Sequence, residues 1–410
     1  MFFFEELGAK VATEWKRQNY DELLFPRAAI TALAHLPPAE NTSFAEVVED
    51  ALITDSMPPQ TDIDANFGQP PLTAYWGRDF RIEVLFWTGD IPSVHQHAFS
   101  GAFPVMHGSS LHLSWGFECK ERVSTHLSYG HAHINKAEIL RSGDTREITA
   151  GPEFIHTTFH LEVPTVSVVI RTNNEPDRMP QYSYLPPGIA FNPDNRPDVL
   201  KRRKQILAML VSAGRLEEYR VRLKAILNGC DSFSAFHYLQ QASTLIKPNA
   251  PLIELLNEAR TGHPKLLKYL TPSLAYDRRQ QEILRLREQI LDADTRFALA
   301  LLANISDKTF ILSLIGQRFP GEDSVGKFAG CIERVSDDAH LGIKSTNAWR
   351  LMLECLLRGI EKPDEIKEVF SGKYGQKQVN QQEDKLILLS QAIKNFWLLR
   401  PMLGGSGAIP

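Results

Sequence analysis

Hydrophobic periodicity changes twice along this 410-residue chain, and the two changes limit the folds open to it. Residues 1–66 carry apolar side chains at three- and four-residue spacing in FEELGAKVATEWKRQ, DELLFPRAAITALAHL and SFAEVVEDALIT, with Pro37-Pro38 and Pro58-Pro59 as breaks. That spacing predicts a short N-terminal helical region. From 67 to 190 the chain turns to short β-rich runs, among them FRIEVLFWT, SLHLSWGFE, KAEILRS and PTVSVVIRT, separated by Gly, Pro, Ser and Asp. Such a pattern predicts a sandwich or barrel of many short strands. A proline-dense stretch, YLPPGIAFNPDNRP, forms a linker, placed at 191–198, after which helical spacing returns and persists over 199–403. The expectation is an α+β chain with a β-barrel between a short helical region and a large all-α domain, ending in a disordered tail at 404–410. A length of 410 residues suits two or three domains.

Histidine usage follows the same division. Nine of the thirteen histidines lie between His95 and His160, and neutral imidazole is the commonest protein ligand for transition metals. In GDIPSVHQHAFSGAFPVMHG, residues 89–108, His95 and His97 stand two apart. On a β-strand alternate side chains share a face, so both imidazoles can chelate one ion. A third ligand has to come from elsewhere, and GDTREITAGPEFIHTTFH offers His156 after a Gly-Asp turn and a Gly-Pro pair.

These residues resemble the cupins, whose first motif is G-x5-H-x-H-x3,4-E-x6-G. Gly89, His95, His97 and Gly108 match its spacing, with Gly101 where the family has its glutamate ligand. The second motif, G-x5-P-x-G-x2-H-x3-N, is looser: Gly143 and Gly151 keep their separation, His156 comes two residues late, and His160 replaces the asparagine. Without the glutamate, the likeness is to the cysteine-dioxygenase-like cupins, which bind Fe(II) through three histidines. It covers roughly 100 residues and neither helical section. The resemblance implies a cupin β-jelly-roll barrel in which His95, His97 and His156 hold Fe(II), or Ni, Mn or Zn in its place. It also implies an oxygenase that takes O2 and a small substrate.

In the thiol dioxygenases a Ser-x-His-x-Tyr strand follows the third ligand. The matching residues here are Ser167, Val169 and Arg171. Serine remains, and an arginine in the tyrosine's place could clamp a carboxylate with two parallel hydrogen bonds. Ser167 and Arg171 are therefore the candidate catalytic residues, and the substrate is expected to be anionic and not cysteine itself. Arg78 and Arg81 are lesser candidates for the same task. The His131/His133 pair lacks the family's flanking glycine, and His107 and His112 are expected in solvent or behind the ligands.

The remaining features exclude more than they assign. A net charge of −4 gives no electrostatic footprint for nucleic acid, and Lys201–Lys204 form only a short basic run opening one helix. GEDSVGKF spells a P-loop, yet Phe328 stands where Ser/Thr should hold Mg2+, and Glu322 and Asp323 would repel phosphate. The four scattered cysteines suit free thiols in a reducing compartment. No apolar run reaches the ~18–20 residues that span a bilayer, and the acidic MFFFEELGAK start is unlike a signal peptide. A cytoplasmic protein is expected, with no membrane partner. A second reading is a non-catalytic cupin that senses a ligand or metal while its helical domain binds a protein partner or a second copy.

Overall fold

A computed structural model describes residues 2–61, 67–89, 93–246, 250–338 and 346–404. Apart from Gly404, the expected tail lies outside the described residues. The fold is mixed α+β, with helices at both ends of a β region. The chain divides into two compact units, 1–276 and 277–410.

The first unit opens with α1 (Phe2–Arg17), α2 (Phe25–His35), α3 (Pro38–Asn41) and α4 (Phe44–Ile53). Pro26 sits in the first turn of α2, where its missing N–H costs nothing. Ser43 and Glu46 close a capping box at the start of α4, with the Glu46 N–H donating to Ser43 Oγ at 3.2 Å and the Ser43 N–H to Glu46 Oε2 at 2.7 Å.

Eleven strands follow among the described residues: β1 (Pro71–Trp76), β2 (Phe80–Trp87), β3 (Val94–His97), β4 (Gly101–His107), β5 (Ser109–Ser124), β6 (Leu127–Arg141), β7 (Thr145–Ile148), β8 (Gly151–His160), β9 (Thr165–Thr172), β10 (Ser183–Leu185) and β11 (Ile189–Phe191). They form a five-stranded sheet, β1-β2-β9-β4-β7, and a closed six-stranded antiparallel barrel, β10-β11-β6-β5-β8-β3. The proline-dense stretch 184–197 contributes most of β10 and all of β11. This hairpin pairs with β3 on one side and β6 on the other, and so completes the barrel. Its prolines, Pro186 and Pro187, occupy the turn, where no ladder N–H is needed.

The five-stranded sheet is covered on its outer face by α1, α2 and α4. Phe80, Ile82, Val84 and Phe86 of β2 and Val166, Val168 and Ile170 of β9 share a core with Phe4, Leu7, Val11, Phe25, Ala29 and Val47. Each large apolar side chain so buried contributes about 1.5–3 kcal/mol. Strict alternation then turns the intervening residues of both strands to the opposite face.

Helices α5 (Asp198–Ser212), α6 (Leu216–Leu227), α7 (Ser232–Leu245), α8 (Ala250–Ala259) and the first half of α9 (Pro264–Gln289) belong to the same unit. Leu127 and Tyr129 of β6 and Leu185 and Ile189 of the hairpin share one apolar core with Leu200, Leu223, Phe236, Leu252 and Leu270 of these helices. The division between units therefore falls later in the chain than the 191–198 segment, because the barrel buries an apolar flank against the helices that follow it.

The second unit is helical from the end of α9 onwards: α10 (Ala293–Asn304), α11 (Lys308–Arg318), α12 (Ser324–Asp338), α13 (Asn347–Leu357), α14 (Pro363–Tyr374), α15 (Gln376–Asn380), α16 (Glu383–Asn395) and α17 (Arg400–Leu403). Buried Arg279 donates to the carbonyls of Leu302, in the last turn of α10, and Leu398, in the connection before α17, each at 2.8 Å. The P-loop-like run is no phosphate cradle. Asp323 caps α12 by accepting from the N–H groups of Val325 and Gly326, Lys327 pairs with Asp294 and Glu322, and Phe328 is buried. No helix among the described residues is long and apolar enough to cross a membrane.

Candidate metal centre

β3 and β8 are antiparallel neighbours, with His95 directly opposite His156. Alternation along β3 puts His95 and His97 on one face and Gln96 on the other, where Gln96 Oε1 accepts from Tyr184 Oη at 2.6 Å. The structure thus gathers His95, His97 and His156 in one place, with ligand nitrogens all within 4.8 Å of one another. Nε2 of His97 and Nε2 of His156 are 2.9 Å apart. All three side chains are about 95% buried.

Burial is the main force on these imidazoles. It holds His95 below the usual histidine range, and His97 and His156 well below it, with mutual repulsion adding to the effect at the latter two. All three are neutral at pH 7, the form that ligates metal. His95 Nδ1 lies 3.0 Å from the carbonyl oxygen of Ser93, and only an N–H at Nδ1 suits that contact. Its lone pair is therefore on Nε2, a buried atom with no hydrogen-bond partner in the protein. His97 Nδ1 is likewise buried and unpartnered. Buried acceptors left unmatched are costly, and one divalent cation among three imidazoles relieves that cost. The donor set fits a metal ion.

No carboxylate joins the cluster among the described residues. At Gly101 the reason is steric. A Cβ there would lie 1.9 Å from the carbonyl oxygen of Ile170 on β9, so β4 approaches its neighbour too closely for any side chain. The position at which the cupin motif has a glutamate can only be glycine here.

His97 and His156 open onto a cavity of about 470 Å³ between the inner face of the five-stranded sheet and the β3–β8–β5 wall. That volume lies within the range of small-molecule sites. Arg81, Glu83, Leu85 and Trp87 of β2, and Ser167, Val169 and Arg171 of β9, line it. Arg171 lies over the ring of Phe99, 3.5 Å from guanidinium carbon to ring centroid, and its Nη2 donates to Asn174 at 2.6 Å. Glu83 takes a 2.6 Å bond from Arg81 and stands 3.8 Å from Arg171, so two guanidiniums share one carboxylate in the cavity wall. Ser167 accepts a 2.9 Å bond from the Trp87 indole. Arg78 lies outside, almost fully exposed beside Asp79.

His160 is buried in the cavity wall, stacked on Trp87 at 4.5 Å and 3.0 Å from Ser110 Oγ. His107 is exposed and stacks on Phe44, and His131 and His133 are exposed on β6. His112 is buried behind His156, with Nε2 at 3.3 Å from His156 Nδ1. Glu138, which sequence reasoning missed, reaches His112 from β6 at 3.0 Å.

A closed antiparallel barrel with a buried three-histidine cluster fits a cupin-like fold. Compared with known proteins, the chain matches no family model and no curated relative.

Proposed function

We propose that this chain is a mononuclear non-haem Fe(II) oxygenase of the cupin type, acting on a small anionic metabolite. His95, His97 and His156 hold the metal, and Arg171 receives the substrate's acidic group. The observation that carries this reading is the cluster of three buried, neutral imidazoles whose nitrogens converge at one edge of a cavity with two guanidiniums in its wall.

Three neutral donors leave bound Fe(II) its full charge and open positions, which is the chemistry needed to bring O2 and an anion together. The protein's own part is positioning. Arg171 is steadied by Phe99 and Asn174, so its fork meets a carboxylate with little further ordering. Leu85, Trp87, Phe103 and Val105 give the cavity an apolar side that limits water beside the reacting groups. Ser167, bonded to Trp87, offers its hydroxyl to a substrate polar group.

Metal analysis of protein purified without chelators, followed by O2-uptake assays of the Fe(II)-loaded protein against small carboxylates and thiols, tests the reading. About one metal per chain is expected, Fe or a Ni, Mn or Zn surrogate, and the double variant His95→Ala/His97→Ala should lose it. Full occupancy in that variant would overturn the ligand assignment. Tight ligand binding with no O2 uptake would favour a metal-dependent sensor whose helical region engages a protein partner.

A further inference from the structure

Only one nitrogen of His156 faces His97; the other, Nδ1, points to His112. A row of polar contacts continues from there. His156 Nδ1 lies 3.3 Å from His112 Nε2, and His112 Nδ1 lies 3.0 Å from Glu138 Oε1. His112 and Glu138 are directly opposed on β5 and β6. Arg146 holds both oxygens of Glu138, at 2.8 and 2.6 Å, and Lys136 adds a 2.8 Å contact. These cations, with His112, keep the Glu138 carboxyl ionised far below the usual carboxylate range.

An ionised carboxylate only accepts hydrogen bonds, so His112 must carry its proton on Nδ1. Where that is its one ring proton, the lone pair lies on Nε2, which accepts from Nδ1–H of His156. The lone pair of His156 then falls on Nε2, the nitrogen that faces His97. We propose that Glu138 and His112 are positioning residues that fix the tautomer of His156 and so hold its Nε2 ready as a metal donor. This rests on the metal-centre reading above. The fold uses a backbone carbonyl, that of Ser93, to the same end at His95. Partners of this kind commonly account for 10–100-fold in metal affinity.

Two measurements on the full chain test the proposal. One is Co(II) affinity by chelator competition; the other is the tautomer of His156 in the metal-free protein, read from side-chain nitrogen NMR. The parent should show His156 protonated at Nδ1. His112→Leu should bind Co(II) about 10–100-fold more weakly and populate both tautomers of His156. His112→Gln, whose amide oxygen can stand near the lost Nε2, should recover part of both. Unchanged affinity and an unchanged tautomer in His112→Leu would overturn the proposal. Should that variant fail to fold, Glu138→Gln decides: a several-fold loss of affinity supports the relay, and none overturns it. A parent that binds no Co(II) would end the metal reading, while the His156 tautomer would still decide the relay.

Discussion

Arg171 meets an aromatic ring, an amide and a carboxylate within one cavity wall. Because Glu83 is also held by Arg81, removing Arg171 does not strand a buried carboxylate, so the variant reports on ligand binding more than on folding. Arg171→Met should keep its metal and bind small carboxylates more weakly by about 2–5 kcal/mol in titrations of Co(II)-loaded protein. Arg171→Lys should recover little, since an ammonium lacks the planar fork. Equal binding by Arg171→Met and the parent would remove the arginine from substrate selection. His160 makes a different prediction. Burial pushes it down to about 3, against about 6.5 in an unfolded chain. Between those values the unfolded state binds more protons, so the stability tied to neutral His160 is complete above pH 6.5 and is lost progressively as pH falls towards 3. The three clustered histidines act in the same direction. Denaturant titrations of metal-free protein from pH 7 to 4 should show falling stability, with a shallower slope in His160→Gln.

At the level of elements, the contact between β4 and β9 is the most exacting. Gly101→Ala would force a methyl against the Ile170 carbonyl and should cost about 4 kcal/mol or more, read as a large fall in melting temperature or as insoluble expression. A variant that melts like the parent would show that the two strands can part easily. β2 and β9 were legible in the sequence as short β-rich runs bounded by turn residues, with Arg81, Glu83, Ser167 and Arg171 breaking the apolar pattern on the cavity side. The alternation of side chains along a strand placed His95 and His97 together. The His112–Glu138 contact was not legible. Counting back from the hairpin pair Ser124↔Leu127 would oppose His112 to Ile139, and register shifts within β5–β6 bring Glu138 there instead. Such bulges have no sequence signature strong enough to count through. The β10–β11 hairpin was hidden for another reason: its short strands flank a Pro-Pro-Gly turn, and proline density outweighed the brief apolar runs.

Across the whole molecule, both β layers are backed by helices. The five-stranded sheet rests on the N-terminal helices, and the β6–β10–β11 flank of the barrel on α5 to the first half of α9. A chain ending at residue 190 would bare Leu127, Tyr129, Leu185 and Ile189 and should aggregate. One ending at Tyr276 should stay monodisperse and retain metal, as size-exclusion chromatography and metal analysis would read. A monodisperse, cooperatively melting 1–190 fragment would show those helices to be dispensable. The stack of Trp87 on His160 has an optical consequence as well. Trp87 lines the cavity, whereas the other five tryptophans of the chain do not. Indole emission depends on the polarity and quenchers at the ring, so a molecule settling beside the histidines changes the light from one known chromophore. The protein carries its own fluorescent gauge of cavity occupancy, readable without knowing what the occupant is.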